Sequence, residues 1–411
     1  MTSSDLTRTS LRIGLLSFGG PAAQIALMHR VYVDEKQWLT EDEFLSALSF
    51  CMLLPGPEAM QLATYTGWKL HGVKGGLIAG LLFVVPGAVV VLTLSALYAI
   101  YGQIPLTQAL FMGIKACVVV IVIEALLRVA RRALKTTTAW IIAALSFLAI
   151  FAVGLPFPLI ILAAGLYGAL TASGGITPDA PAPPHNLPRT VVTWLAIWWT
   201  PVALAAASGA ALLTEIGLYF SRLAVVTFGG AYSVLAYMAQ SIVAEKAWLT
   251  TGALIDGLGL AETTPGPLIL VTTFVGYQAG YAVSPLMAVG AAAMTLWVTF
   301  APCFLWIFAG APYIARLTAR PRLKAALSAI TAAVVGVILS LTVWFALHVF
   351  FTELAEFHVL WATIPLPDPA SLNWRAVLIA LAAAYALLFR HLNLIPVLIF
   401  AAVAGSLLAR V

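Results

Sequence analysis

The chain has 411 residues, of which 62% are hydrophobic and 9% charged, against roughly 45–50% and about 25% in an ordinary soluble domain. So few charges cannot cover a water-soluble globule, and the apolar residues fall into blocks long enough to cross hydrocarbon, so an all-α polytopic membrane protein is expected. The net charge of +5 comes from short basic clusters between those blocks. That argues against a nucleic-acid surface and fits loops facing the cytoplasm.

The N-terminus has no clear hydrophobic core followed by a cleavage site, so no signal peptide is expected. Apolar runs bounded by charge, Pro and Gly lie at about 11–28, 43–66, 76–101, 105–127, 138–153 and 155–172. The polar, Pro-rich stretch 173–190 is unsuited to a helix and reads as a linker. The run 191–213 is expected to be a linking transmembrane helix, followed by runs at about 221–240, 252–276, 282–310, 325–350, 374–389 and 392–409. This divides the chain into a first membrane repeat, 1–172, and a second, 214–411. Cys51, Cys117 and Cys303 sit in or beside apolar runs without CxxC spacing or His neighbours, so neither a disulfide framework, a metal site nor a cofactor is expected.

The two halves are a duplication. Shifted by 210 residues, 17–57 aligns without a gap on 227–267, with 15 of 41 pairs identical, where composition alone gives about three or four. The shared points are Phe18, Gly19 and Gly20 with Phe228, Gly229 and Gly230; Glu35-Lys36 with Glu245-Lys246; Trp38, Leu39 and Thr40 with Trp248, Leu249 and Thr250; and Pro55, Gly56 and Pro57 with Pro265, Gly266 and Pro267.

Loop charge orients the halves. In the first, Lys69 and Lys74 follow the second run, and Arg128, Arg131, Arg132 and Lys135 follow the fourth. In the second, Arg316, Arg320, Arg322 and Lys324 follow the third run and Arg390 the fifth, while Glu353, Glu356 and Asp368 follow the fourth. Under the positive-inside rule, equivalent loops then lie on opposite sides, so the repeats are inverted in topology and the N-terminus is expected in the cytoplasm. Inversion of an even-numbered repeat needs one extra crossing, which 191–213 supplies whether the first two runs of each half span or re-enter. This is an architecture of secondary transporters, with substrate near the midplane between inverted repeats.

A Pro-Gly-Pro inside an apolar run breaks a helix, and in hydrocarbon the freed backbone groups are tolerated only inside protein or along a watery cavity. The half-helix after the break presents unpaired amides and a partial positive charge, a site for an anion. Phe-Gly-Gly adds unshielded amides. A plain kink and a close helix contact are the ordinary explanations of either motif alone. Both motifs, repeated in register, favour a site.

The sequence resembles the chromate ion transporter family in its long, two-domain form, over almost the entire chain. The resemblance rests on Ser17, Phe18, Gly19, Gly20 and Pro21; Trp38-Leu39; Leu54, Pro55, Gly56, Pro57 and Glu58 with Gln61 and Tyr65; and, in the second half, Thr227 to Gly230 and Glu262 to Pro267. The second half departs from the first, with Ala231 for Pro21, Val234 for Gln24 and Leu268 for Glu58. The resemblance implies export of chromate across a prokaryotic plasma membrane, with sulfate as the competing look-alike.

Chromate is a tetrahedral dianion, so its site needs converging donors. The expected set is Phe18, Gly19, Gly20, Gln24, Pro55, Gly56, Pro57 and Glu58 from the first half, with Thr227, Phe228, Gly229, Gly230, Thr263, Thr264, Pro265, Gly266 and Pro267 from the second. Glu58 either complements a positive helix start or carries a coupling proton. Lys115, Glu124, Asp256 and Glu262 are charges at membrane depth, expected to be paired or functional. Lys115 reads as a structural ion pair ahead of an attracting charge in an anion path. Arg12 and Arg222 open equivalent segments and read as interfacial anchors, as does His29. The expected partners are the anion, a coupling proton, the lipid bilayer and a second copy in a homodimer, with no nucleic acid. A sulfate carrier, a passive anion channel and a membrane-embedded enzyme are the alternatives. The last lacks an HExxH, a nucleophile elbow or a nucleotide-binding signature.

Overall fold

The computed structural model describes residues 2–172, 186–228, 231–314, 320–359 and 362–409. Most of the expected linker, 173–185, lies outside the described residues, as do Gly229 and Gly230. The chain is an all-α polytopic membrane protein. The first repeat runs through α1 (Ser3–Leu16), α2 (Gly20–His29) with a wide turn at Arg30–Glu35, α3 (Glu41–Cys51), α4 (Glu58–Tyr101), α5 (Pro105–Ala133), α6 (Thr137–Phe151) and α7 (Phe157–Thr171). After α8 (Leu187–Ala207) the second continues through α9 (Ala211–Val226), α10 (Ala231–Met238) with its wide turn Ala239–Glu245, α11 (Thr251–Glu262), and a tight turn Leu268–Leu270 leading into α12 (Val271–Tyr281). Next come α13 (Pro285–Gly310), α14 (Pro321–Phe350), a hairpin of β1 (Leu354–Val359) and β2 (Ala362–Pro367), α15 (Trp374–Ala384) and α16 (Leu394–Leu408). Among the described residues, α4, α5, α8, α13 and α14 are long and apolar enough to cross a bilayer.

Five expected runs are not single helices. Those at 11–28, 43–66 and 252–276 break where Gly19, Gly56 and Gly266 adopt φ of 85°, 114° and 91°, values that cost any other residue strain. The run at 221–240 divides between α9 and α10. The run at 191–213 is helical only to Ala207, and after Gly209 the chain starts α9. The stretch between the fourth and fifth runs of the second half forms the β1–β2 hairpin, with no Asn-Gly or Asp-Gly turn and with Pro365 and Pro367 in its second strand.

α4 is a helical hairpin. It reverses at His71 (φ −138°, ψ 26°) and Gly72 (φ 61°, ψ −152°), and its arms touch so closely that a Cβ on Gly67 meets the Gly75 carbonyl and one on Gly80 meets the Thr64 hydroxyl. α12 and α13 repeat this arrangement, with Gly276 against Thr295 and Gly280 against the Met287 carbonyl. Small residues permit such approach where lipid gives no hydrophobic drive for helix association.

Ion pairs then decide how the first repeat enters the membrane. Lys36 Nζ lies 2.9 Å from Asp5 Oδ1, Arg12 bonds Glu35 at 3.0 Å, and Lys69 pairs with Glu43. Side chains of these lengths hold the paired backbones within about 12 Å, far less than the roughly 30 Å of hydrocarbon. The excursions 5–36 and 43–69 therefore leave and return on one side, as re-entrant hairpins. Both repeats also close the wide turn after their second helix alike. The Lys36 amide donates to Val31 and the Trp38 amide to Tyr32, as Lys246 does to Ser241 and Trp248 to Ile242. Gln37 and Ala247 take the left-handed position at φ 52° and 50°, where glycine usually ends a helix.

Two compact units share the chain, and each draws on both repeats. The first comprises Met1–Ala96, Ser173–Ala231 and Leu260–Lys324; the second Leu97–Ala172, Tyr232–Gly259 and Ala325–Val411. In the first, Trp194 of α8 meets Phe304 and Phe308 of α13 with ring centroids 5.5 and 5.1 Å apart. In the second, Gly113 of α5 backs onto the Ala401 carbonyl and Gly405 of α16 onto the Ala109 carbonyl. Single cysteines at Ser3, Gln37 and Lys69, in a variant free of native thiols, should all label from one membrane face. A label at Lys69 from the opposite face to Gln37 contradicts the re-entrant hairpin.

Candidate functional site

Within the first unit, each Pro-Gly-Pro turn is tied to the other repeat. The Gly56 amide donates to the Thr227 carbonyl at the end of α9, and the Gly266 amide to the Ser17 carbonyl at the end of α1, both at 2.8 Å. The chemistry is forced: glycine holds the one amide of the turn, and a helix end supplies a carbonyl without an intrahelical partner. Ser17 and Thr227 match further, since each hydroxyl donates to its own helix, to Ile13 and Leu223, at 2.6 Å. The long helices complete the crossing. A Cβ on Gly87 of α4 would meet the Pro265 carbonyl, and one on Gly56 would come within 2.9 Å of Cys303 Sγ on α13.

The crossing gathers four helix starts around one cavity. Its lining includes Pro21 in the first turn of α2, Ala231 at the start of α10, Pro57, Glu58 and Ala59 at the start of α4, and Pro267, Leu268 and Ile269 leading into α12. Gln24 and Thr227 complete the wall. First-turn amides lack intrahelical acceptors and carry the positive end of the helix dipole, so four of them around one cavity make an electropositive, amide-rich environment suited to an anion. The cavity offers about 10 Å³ to the centre of a water-sized sphere, space for about one water. A four-oxygen anion enters only when the helix starts part.

Of the seventeen expected site residues, Gln24, Pro57, Glu58, Thr227 and Pro267 line the cavity. Gly19, Gly20, Pro55, Gly56, Pro265 and Gly266 shape the breaks behind it; Gly229 and Gly230 lie outside the described residues. Phe18 borders a separate surface cavity with Ala23 and Arg30, and Phe228 lines neither. The hydroxyls of Thr227, Thr263 and Thr264 donate to the carbonyls of Leu223, Leu260 and Ala261, so in this conformation they are helix caps and not donors toward the cavity. Gln24, 1% exposed, donates through Nε2 to the Gly266 carbonyl at 2.7 Å and more distantly to Ser17 at 3.4 Å. Gln61 Nε2 donates to Pro55 at 2.7 Å, leaving its buried Oε1 without a hydrogen bond.

Apart from Thr227, the polar side chains at the cavity come from the first half. Where the first has Gln24, Glu58 and Gln61, the second has Val234, Leu268 and Val271. Sequence reading missed Pro21, Ala59, Ala231, Leu268 and Ile269 as lining. Their signal was positional: all fall in the first turn after a break. Lys115, Glu124, Asp256 and Glu262 are not among the cavity's lining residues. Lys115 pairs with Asp256 at 3.2 Å, and Glu124 with Arg128 one helical turn on.

Broken helices in both halves, whose positive ends surround a cavity inside an apolar chain, fit a membrane protein of the transporter class. The family described as chromate transporter matches residues 4–169 and 214–406, and this chain belongs to it. Those segments leave out the expected linker and the whole of α8. The chain is 33% identical over 356 residues to the chromate transport protein of Pseudomonas aeruginosa, covering 84% of this chain and 81% of that one. It is 31% identical over 344 residues to the chromate transport protein of Cupriavidus metallidurans, covering 82% and 81%. To the probable chromate transport protein of Synechococcus elongatus it is 29% identical over 338 residues, covering 81% and 82%. No solved structure matches the chain.

Gly56→Ala and Gly266→Ala each place a side chain at positive φ in a filled space. Each should lower folding stability by about 1–3 kcal/mol, read as a reduced thermal midpoint in detergent. Gly154→Ala, at φ 70° but with open space around it, should cost less. Equal losses at all three would show that the crossing contributes nothing beyond backbone strain.

Proposed function

We propose that this chain exports chromate from the cytoplasm across a prokaryotic plasma membrane by alternating access, binding the anion among the four helix starts. The observation that carries the reading is the cavity in the first unit, bordered by positive helix ends and with Glu58 as the sole acidic side chain in its lining. Family membership and the names of the relatives supply the substrate. A tetrahedral dianion matches amides arriving from four directions, and release of the reciprocal Gly56 and Gly266 bonds is the step that widens the cavity.

Energetics favours the outward direction. Moving two negative charges out of a negative interior gains roughly 4.6 kcal/mol per 100 mV. Import needs two cotransported cations to cancel that gain. The positive-inside rule sets the sidedness, with the N-terminus and the loops holding Lys74 and Arg320 in the cytoplasm. Glu58 at the start of α4 complements the helix dipole when ionised and admits a dianion more readily when neutral.

Inside-out vesicles holding the full chain should accumulate labelled chromate in a saturable manner, faster under an imposed inside-positive voltage. Sulfate should compete if the tetrahedral shape is what the site reads. Non-saturating flux with channel-like current would identify a pore, and sulfate transport without chromate transport would reassign the substrate. Glu58→Gln should raise apparent affinity for the dianion and flatten the pH dependence of that affinity. A wild-type pH profile in this variant would leave Glu58 a helix cap only.

A further inference from the structure

The second unit contains a charge cluster that the anion cavity does not use. Asp256 of α11 is 5% exposed and precedes Pro265 by nine residues. Its Oδ2 accepts from the Tyr98 hydroxyl at 2.8 Å, and its Oδ1 lies 3.2 Å from Lys115 Nζ on α5. The second contact is an ion pair without an aligned hydrogen bond. Lys115 and Tyr98 are the titratable groups that face Asp256 from neighbouring elements; on its own helix, Glu262 follows six residues later.

A buried ion pair offsets its desolvation only when its geometry is good and the remaining lone pairs are satisfied. Here one carboxylate oxygen is poorly held, which makes the pair a weak brace. Lys115 also lines a cavity of about 500 Å³ bordered by Gln108, His348, Thr352 and Asn373. Water in that cavity reaches the ammonium, and the ammonium touches the carboxylate. The charge lies ten residues into a 29-residue helix, about 15 Å along its axis, at membrane depth where an ionisable group is costly unless it has work to do.

We propose that Asp256 is a proton-binding site, loaded from this cavity past Lys115, whose protonation is coupled to transport. The proposal rests on the transport reading above. A proton arriving through the cavity adds to the Asp256 carboxylate and gives the neutral acid. Protonation removes the counter-charge of Lys115 and leaves its side chain bordering the cavity.

The test uses full-length protein in vesicles, voltage clamped, with a chromate gradient and a trapped pH indicator. Wild type should move protons with chromate. The neutral double variant Asp256→Asn with Lys115→Met leaves no unpaired charge, and whatever chromate flux it retains should carry no protons and show no pH dependence. If that variant is inert, Tyr98→Phe decides. Losing a donor to the ionised carboxylate should move the midpoint of the pH profile upward by about one unit, and an unmoved midpoint overturns the proposal. So does wild-type proton flux in the double variant, or a pH dependence lost only in His348→Gln. Wild type that moves chromate without protons sinks the proton site and leaves the transport reading standing. Wild type that moves no chromate sinks both.

Discussion

A break in a membrane-embedded helix exposes backbone groups that lipid cannot satisfy, and everything distinctive in the first unit follows from how those groups find partners. Pro-Gly-Pro leaves a single amide at each break. That amide finds its acceptor on the opposite repeat, at the carbonyl of Ser17 or Thr227. Because the bonds are exchanged, the two breaks are brought to one place, and the helices that start after them point their positive ends at common space. The site is thus a by-product of backbone satisfaction. Gly87 is sterically required, since a Cβ there would run into the Pro265 carbonyl, and Gly56 and Gly266 are required by their positive φ, with a Cβ at Gly56 also pressed against Cys303 and Gln61.

Symmetry of backbone coexists with asymmetry of side chains. Caps, wide turns and left-handed positions repeat in both halves, down to the 2.6 Å bonds of Ser17 and Thr227. Yet Gln24, Glu58 and Gln61 correspond to Val234, Leu268 and Val271 at the 210-residue offset. The scaffold needs both copies for its hydrogen bonds, while selectivity can be set by one. Gln24 shows the division, because a side chain of the first repeat holds the turn of the second at 2.7 Å.

Much of this was legible in the sequence. Composition gave the class, the 210-residue self-match located both breaks, and the proline and glycine motifs marked where helices would end. What the sequence did not show was pairing at a distance. Nothing in the spacing of Gly56 and Thr227 says that one donates to the other. The threonine hydroxyls looked like donors for an anion because their nearest acceptors, the helix carbonyls at Leu223, Leu260 and Ala261, become neighbours only once the helix end is formed. The re-entrant path of the first repeat was equally hidden. It depends on Lys36 meeting Asp5 and Lys69 meeting Glu43, contacts that apolar run lengths do not report. The helical reversal inside α4, by contrast, turns on His71 and Gly72, within the charged stretch that separates the runs at 43–66 and 76–101.

The exchanged bonds carry a consequence for biosynthesis. Gly56 leaves the ribosome 171 residues ahead of its acceptor Thr227, and Ser17 waits 249 residues for Gly266. Through most of translation the first repeat holds a donor and an acceptor with nothing native to bond, at a depth where water is scarce. Its re-entrant hairpins must therefore linger near the insertion machinery or at the wet interface until the second copy arrives, and a chain truncated before Pro265 is left with half a handshake and a strong candidate for proteolysis.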